Sequence, residues 1–339
     1  MMSRREKILS AIDPASQSGV EIGALMNPIV TRKMGDIAYV DHASRRDLQE
    51  WYRNDPNVDI DKIVDVDYVW GESSLEEAVG ADRKFDYVIA SHVIEHVPDM
   101  ITWLSEVSTI LKPGGILSLV VPDKRYTFDR LRRETVPADL IDAHTRRLRK
   151  PSSRQIFDHF SMVVEANAQK LWDGEVEAQD LKKMFSDEAA LNACRDAIDN
   201  DKYIDSHCWV FTPFSFFENL KTLIRLNLFD FELVEFSDTE RGHIEFFVTL
   251  RKLDDALPQA ARQERQLASL PPVPAPPAPE LLQVKVQQQE RLIAELTRSR
   301  GGRLLAPLRG AWTRLEKRVR RAALDRARSL WRRRSAPWN

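Results

Sequence analysis

Short apolar runs of strand length alternate with helical stretches along the first 253 residues of the chain. Helical patterns cover residues 100–111, which are followed by Pro113-Gly114-Gly115, and residues 213–227. This alternation predicts an α/β domain with a mostly parallel sheet, whose last two strands form an antiparallel hairpin across the polar turn 237–243. The strand-like runs are 20–23, 37–40, 62–66, 85–90, 116–121, 231–236 and 244–250.

Residues 125–206 interrupt this alternation. They show no strand-like pattern, and their sequence is charged and helical in character. We predict that they form a helical cap inserted between the fifth strand and the helix over 213–227. The predicted domain, including its cap, covers residues 1–253.

A proline-rich segment separates this domain from the rest of the chain. Residues 271–279 read PPVPAPPAP, and six prolines in nine positions predict a stiff polyproline-II spacer. The polar residues from 254 onward lead into it, so we assign 254–280 as a linker. Residues 281–339 are then predicted to form a separate helical tail.

Two helical patterns follow the linker. In residues 281–298 one apolar seam follows 4-3-4-3 spacing, which predicts a helix able to associate with a second copy of itself. From Pro307 a second pattern places Trp312, Leu315 and Val319 on one face, with arginines beside them. A basic amphipathic helix of this kind can lie on an anionic membrane surface, so residues 301–339 are a candidate peripheral anchor. A solvated basic segment is the alternative.

The charge of the chain is unevenly distributed. Residues 281–339 carry 16 Lys and Arg against 4 Asp and Glu, a net charge of +12, and the whole chain carries −2, so residues 1–280 carry −14. The basic tail could meet phosphates, but the acidic body would repel a nucleic acid from the cleft, and we do not expect that partner.

Other classes are excluded by composition. The sequence shows no signal peptide and no run of apolar residues long enough for a membrane span, so we expect a cytoplasmic protein with at most peripheral membrane contact. The two cysteines, Cys194 and Cys208, are too few for a disulfide framework or a zinc site, and no metal is expected.

Acidic residues stand where the first three predicted strands end. Asp41 follows the second strand, Asp67 follows the third, and Glu21 precedes Gly23 in the first turn. Ligands of open α/β sheets bind beyond the carboxyl ends of the strands. Each acid could instead cap a helix or lie in a solvated turn. The first turn holds one glycine rather than the GxGxxG of a dinucleotide site, so a pyrophosphate ligand is not favoured.

Two motifs resemble a known family. Residues 85–98 read FDYVIASHVIEHVP, and residues 111–115 read LKPGG. Both closely resemble the class I methyltransferases, in which they cover the fourth strand with its loop and the approach to the fifth strand. The resemblance covers residues 1–124 and 207–253. It implies a Rossmann-like, seven-stranded, mostly parallel α/β sheet whose last strand is antiparallel, with S-adenosyl-L-methionine as cofactor.

The resemblance also implies roles for particular residues. By position, Glu21 and Gly23 hold the methionine end of the cofactor and Asp41, with His42 beside it, holds the ribose. Asp67 lies near the adenine, and Ser91 with His92 lies along the cofactor cleft. The chain departs from the family in its first turn, where the usual glycine-rich run is reduced to Gly23 and Pro28 closes the loop.

The same turn resembles that of bacterial methyltransferases often encoded with surface-polysaccharide genes. These proteins share runs similar to residues 39–42, YVDH, and 206–213, SHCWVFTP. Residues 299–309, SRGGRLLAPLR, are similar to a short motif in the tails of polysaccharide glycosyltransferases and their partners. The resemblance implies that the acceptor is a hydroxyl group of a sugar or a lipid-linked glycan.

Methylation of a hydroxyl group requires removal of its proton, because an alcohol is a poor nucleophile. Our candidates for the base are His207, His96 and Asp123. His207 is favoured because Asp205, or another acid brought near by the fold, could orient its ring; His96 could simply fix its loop. Two other functions remain open: a degenerate cofactor fold that binds partner proteins, and a methyltransferase acting on nucleic acids or small molecules.

Overall fold

Seven strands form one sheet in the computed structural model, which describes residues 2–176, 178–254 and 256–272. Their order across the sheet is β3-β2-β1-β4-β5-β7-β6, and β7 runs antiparallel to both of its neighbours. The seven-stranded, mostly parallel fold predicted from the sequence is therefore confirmed. The strands are β1 (Ser18–Ile22), β2 (Asp36–Asp41), β3 (Tyr68–Val69), β4 (Phe85–Ser91), β5 (Leu111–Pro122), β6 (Phe231–Ser237) and β7 (Glu245–Lys252).

Helices connect the strands and form the cap. Helices α5 to α8 fall within residues 125–206, the segment predicted to be helical. In the described part of the chain, no helix has both the length and the apolar character that a bilayer span requires. The helices are α1 (Arg4–Ile8), α2 (Arg45–Trp51), α3 (Leu75–Val79), α4 (Met100–Ile110), α5 (Pro137–Thr145), α6 (Ser153–Met162), α7 (Ala168–Asp173), α8 (Asp187–Asp199), α9 (Pro213–Arg225) and α10 (Gln259–Ser269).

The strand order reverses between β1 and β4. These two central strands pair in parallel, with Ile22 opposite Ala90 near their carboxyl ends. Because the connections from β1 and β4 leave in opposite directions, a crevice opens above their ends, and ligands of such sheets bind there. The functional site is therefore expected around Gly23 and Ser91.

The core explains why the central strand reads as an unbroken apolar run. Residues 87–90 of β4 are fully buried, since helices cover both faces of a parallel sheet. Helix α4 packs on one face through Trp103, Leu104 and Val107. Asp99 fixes the start of this helix by accepting a hydrogen bond from the Thr102 backbone N–H at 3.0 Å.

The third strand was predicted wrongly. Residues 62–66 do not form it; Ile60–Lys62 is a 3-10 helix, and the strand is the two-residue β3. Asp67 consequently precedes the strand instead of following it. Its carboxylate accepts a hydrogen bond from the Tyr39 N–H at 2.8 Å and pairs with Arg32 at 2.8 Å. Asp67 thus secures the middle of β2 and lies away from the carboxyl ends of the strands.

The folded body also continues beyond Leu253, into the predicted linker. Helix α10 packs on β6, where the buried Gln266 side chain donates hydrogen bonds to the backbone carbonyls of Phe229 at 2.6 Å and Phe231 at 3.1 Å. Arg265 pairs with Glu232 of β6 at 2.5 Å. Residues 273–279 of the predicted spacer, the seam over 281–298 and the basic tail over 301–339 lie outside the described residues.

Candidate active site

Gly23 forms the first turn directly after β1. Its φ of +70° lies in the left-handed region, and a Cβ at this position would come within 2.9 Å of Val93 Cγ2. The Gly23 N–H donates a hydrogen bond to the Val40 carbonyl at 2.9 Å. Glycine is required here because the backbone passes close to the loop after β4 in a conformation that disfavours a side chain.

The Glu21 side chain stabilises the loop that follows this turn. Its side chain is 2% exposed and accepts hydrogen bonds from the backbone N–H groups of Ile29 at 2.7 Å and Val30 at 3.1 Å. Burial raises the pKa of Glu21 to about 7, against the lowering effect of these two donors. The carboxylate is directed at the loop backbone, so we infer that Glu21 shapes the cofactor turn and does not contact a ligand directly.

Asp41 and His42 stand together at the carboxyl end of β2. Asp41 is buried; its Oδ1 accepts a hydrogen bond from the His42 backbone N–H at 2.8 Å and lies 2.7 Å from His42 Nδ1. Within the described residues no group donates to Oδ2. The His42 ring lies between Trp51, at 5.1 Å, and Tyr203, at 5.8 Å. Neither aromatic residue was expected at the site from the sequence. Trp51 belongs to α2, and Tyr203 lies near the end of the cap.

Asp67 does not lie at the carboxyl end of β3, where the sequence placed it near the adenine. Other residues lie there. The carboxyl end of β3 is followed by Trp70, Gly71 and Glu72, and the Trp70 N–H donates to the Asp41 carbonyl at 2.7 Å. Any adenine contact at this strand end therefore falls to the segment after Val69.

Ser91 and His92 end β4 at the centre of the crevice. His92 has a φ of +54°, and its Nε2 lies 2.7 Å from Glu245 Oε2 at the start of β7. Arg4 of α1 donates to Glu245 at 2.7 Å and to Ser91 Oγ at 2.8 Å. Burial opposes ionisation of Glu245, but hydrogen bonds from His92 and Arg4 outweigh it and lower the pKa to about 2.

A cleft of about 690 Å³ opens beside this cluster. One wall comes from the ends of β4 and β5, through residues such as His92 and Pro122. The other comes from the cap, between Val164 and Met184. The cap therefore encloses the space next to the strand ends, which is where an acceptor would meet a bound cofactor.

Two histidines of this cleft are each held by an aspartate. His96 Nδ1 lies 2.8 Å from Asp205 Oδ1, and His207 Nδ1 lies 2.6 Å from Asp129 Oδ2. The two rings meet edge to face, 4.6 Å apart. From the sequence we expected Asp205, or another acid brought near by the fold, beside His207. The structure gives Asp205 to His96, and Asp129, which stands 78 residues away in sequence, to His207.

These pairings shift the pKa values of the paired residues. Burial disfavours the charged form of His96, but the hydrogen bond and charge of Asp205 prevail and raise the pKa of His96 to about 9. The pKa of Asp129 falls to about 2 because the charges of His207 and Arg132 outweigh its burial. At neutral pH both aspartates are therefore carboxylates that accept Nδ1–H bonds, and they direct the Nε2 edge of each ring away from themselves.

Asp123 cannot act as a base. It is fully buried, and Arg125 binds it through Nε at 3.0 Å and Nη2 at 2.6 Å. Thr239 Oγ1 donates a further hydrogen bond at 2.8 Å. A carboxylate saturated in this way joins the end of β5 to the hairpin turn, so its candidacy as a catalytic residue was wrong.

The strand order and the glycine turn at the crevice agree with the class I methyltransferase fold expected from the sequence. The sequence profile of a methyltransferase domain family matches residues 9–189, just over half of the chain. The chain belongs to this family and is an S-adenosylmethionine-dependent enzyme. Gly23 and Asp41 fit this cofactor, because the turn lets a ligand approach the backbone and Oδ2 of Asp41 is open for a ribose hydroxyl.

Individual relatives are distant. A ubiquinone biosynthesis O-methyltransferase from Brucella ovis is 34% identical over 67 residues, which are 18% of this chain and 26% of that protein. The match thus spans about a quarter of the curated relative.

The solved structures that resemble this chain are also distant from it in sequence. The CcbJ methyltransferase from Streptomyces caelestis is 12% identical with a TM-score of 0.37, covering 73% of this chain and 94% of its own. A methyltransferase from Methanosarcina mazei is 15% identical with a TM-score of 0.35, covering 73% and 96%.

Proposed function

We propose that the enzyme transfers the methyl group of S-adenosylmethionine to a hydroxyl group of a sugar or a lipid-linked glycan. The observation that carries this proposal is the His207–Asp129 pair, which faces the cleft between the strand ends and the cap. An alcohol must lose its proton as it attacks, whereas a neutral amine needs no such help. An aspartate-oriented imidazole is the usual means of removing that proton.

The cofactor supplies an electrophilic methyl group on a sulfonium sulfur. Gly23 and Asp41 would hold it at the ends of β1 and β2, and the cap residues would align the acceptor. His207 Nε2 takes the hydroxyl proton while Asp129 stabilises the resulting imidazolium. The new C–O bond forms as the C–S bond breaks, so the products are a methyl ether and the neutral thioether. Alignment of this kind contributes much of the rate.

The lining of the cleft supports a sugar as acceptor. Tyr126 and Phe128 provide apolar ring surfaces, and the Tyr126 ring is backed by Trp172 at 3.7 Å. Polar side chains, including Asn167, Lys170 and Lys182, line the cap side of the same cleft. Flat apolar surface with a few polar groups suits a pyranose ring, which has apolar faces and a polar rim. The O-methyltransferase name of the Brucella relative agrees with a hydroxyl acceptor.

Radiolabel transfer from S-adenosylmethionine tests the proposal. We expect label in the lipid-linked glycan fraction of host cells, and we expect His207→Gln to lower kcat by about 100-fold or more while cofactor affinity is kept. His144→Gln, a change at a histidine outside the cleft, should leave kcat unchanged. Label in nucleic acid, or in amines alone, would contradict the proposal.

Cofactor titration by calorimetry separates this enzyme from the scaffold alternative. We expect one S-adenosylmethionine per chain, since Gly23 keeps the turn open and Asp41 keeps an oxygen available. A chain that binds no cofactor would favour a scaffold that binds partner proteins.

A further inference from the structure

Glu95 is a buried carboxylate without a hydrogen-bond partner. It is fully buried, and neither of its side-chain oxygens accepts a hydrogen bond from any described residue. The nearest ring nitrogen is His92 Nδ1, which lies 3.6 Å from Oε1, beyond hydrogen-bond distance. Burying an unpaired carboxylate is costly, and the cost is normally met by a bound cation or by protonation. Glu95 is therefore a candidate ligand for a cation.

Two imidazoles complete a set of ligand atoms around this carboxylate. One atom each from Glu95, His96 and His207 lie within 4.8 Å of one another. A transition-metal ion lies ~2.1 Å from its nitrogen and oxygen ligands, so two ligands of a tetrahedral ion are ~3.4 Å apart. Side-chain adjustments of at most about 1.4 Å bring the three atoms to that separation.

The orientation of both rings matches that of metal-bound histidines. A ligating histidine almost always donates its other ring N–H to a carboxylate or carbonyl, which fixes the ring and raises its basicity. His96 Nδ1 is bound to Asp205 at 2.8 Å and His207 Nδ1 to Asp129 at 2.6 Å. In both residues Nε2 is the nitrogen left for a ligand, so the two aspartates act as the outer layer of the site.

We propose that Glu95, His96 and His207 bind one divalent transition-metal ion at the floor of the acceptor cleft. Two imidazoles and one carboxylate favour Zn²⁺ or Fe²⁺ over Mg²⁺ and Ca²⁺, which prefer oxygen ligands. Three protein ligands leave at least one position open, and it faces the cleft lined by the same residues. No metal was expected from the sequence, because Glu95 and His96 stand more than 100 residues from His207.

Where the proposed function holds, this site would also change how the acceptor is activated. A hydroxyl bound to the ion loses its proton more readily, as metal-bound water does. His207 Nε2 would then be a ligand, and the proton would leave to solvent through the open cleft. This consequence rests on the proposed function; binding of the ion does not.

Metal binding to the full-length chain, prepared without a histidine tag and stripped with a chelator, tests the site. Titration calorimetry with ZnCl2 should show one ion per chain, and MgCl2 should show no comparable binding. Glu95→Gln and His207→Gln should each weaken Zn²⁺ binding by at least about 100-fold. His144→Gln is the matched control, because His144 also faces a carboxylate, Asp99 at 3.4 Å, but has no third ligand; it should bind as the wild type does.

Co²⁺ gives a second readout that requires no acceptor. The wild type should develop visible d–d absorption on addition of CoCl2, and both ligand variants should lose it. S-adenosylmethionine binding, measured in parallel, reports whether each variant is folded. A wild type that binds no Zn²⁺, or ligand variants that fold and bind as tightly as the wild type, would overturn the proposal and leave Glu95 as a carboxylate balanced by histidine charge. Absence of methylated glycan alone would count only against the proposed function.

Discussion

Single residues at the strand ends divide into those that shape the site and those that can meet a ligand. Glu21 and Asp67 hold backbone N–H groups of neighbouring segments. Asp41 has one oxygen engaged by His42 and one open. All three are acidic residues at the ends of predicted strands, so only the direction of each side chain separates their roles.

Asp41 gives the sharpest test of this division. Asp41→Asn keeps the size of the side chain but replaces an acceptor oxygen by a donor, so it should weaken S-adenosylmethionine binding at least tenfold, or about 1.4 kcal/mol. Asp67→Asn is the matched control and should leave the affinity unchanged. Calorimetric titration measures both. Equal losses in the two variants would mean that the ribose lies elsewhere.

Glu21 predicts a pH-dependent stability. Its pKa in the folded protein is raised to about 7 from an ordinary value of 4.5. The folded state therefore binds the proton more tightly, and the stability that this contributes is complete below pH 4.5 and lost as pH rises through 7. Glu21→Gln removes the titration but keeps one acceptor oxygen.

Urea unfolding of the wild type and of Glu21→Gln at pH 4.5 and pH 8 measures this effect. The variant should gain roughly 3 kcal/mol relative to the wild type between the two pH values. A difference in unfolding free energy that is the same at both pH values would show that Glu21 titrates normally.

Elements with long, buried patterns could be predicted from the sequence, and short ones could not. Helix α4 and strand β4 begin and end within a residue or two of their predicted positions, because a continuous apolar run or a capped helix has few alternatives. Strand β3 has two residues, and its pairing with β2 decides its position. Helix α10 was interpreted as a linker because the contacts with β6 that hold it are made by the buried Gln266 and the exposed Arg265, not by an apolar seam.

The candidate site was predictable to a similar degree. The residues near the motif over 85–98 were found because they are close together in sequence. Asp129, Tyr203 and Arg4 reach the site from the cap and the first helix, and nothing in their local sequence indicates this. Glu95 was passed over because a buried, unpartnered carboxylate can be recognised only once its surroundings are known.

Helix α10 gives a prediction about the domain boundary. A chain that ends at residue 253 loses the Gln266 hydrogen bonds and leaves the carbonyls of Phe229 and Phe231 without these partners. It should be less stable than a chain that ends at residue 272 by about 2–4 kcal/mol. Thermal melts of the two chains make the comparison. Equal melting temperatures would show that the folded domain ends at residue 253, as the sequence predicted.

The uneven distribution of charge along the chain leads to a prediction about membrane binding. We expect residues 281–339 to bind anionic membranes, since each basic residue near such a surface adds about 1 kcal/mol. Deleting them should release the protein from anionic liposomes at moderate salt, as measured by co-sedimentation. Neutral liposomes serve as the control. Equal sedimentation with and without the segment would rule out a membrane anchor there.

The segment over residues 203–207 contacts both the proposed cofactor site and the acceptor cleft. Tyr203 stacks on His42 beside Asp41, while His207 lines the acceptor cleft and Asp205 pairs with His96 of the same cleft. A cofactor resting on Asp41 and His42 would fix this segment before an acceptor meets it. Steady-state kinetics should then be ordered, with S-adenosylmethionine binding first, and a product-inhibition study can show it. Five consecutive residues would thus set the sequence of events in each turnover.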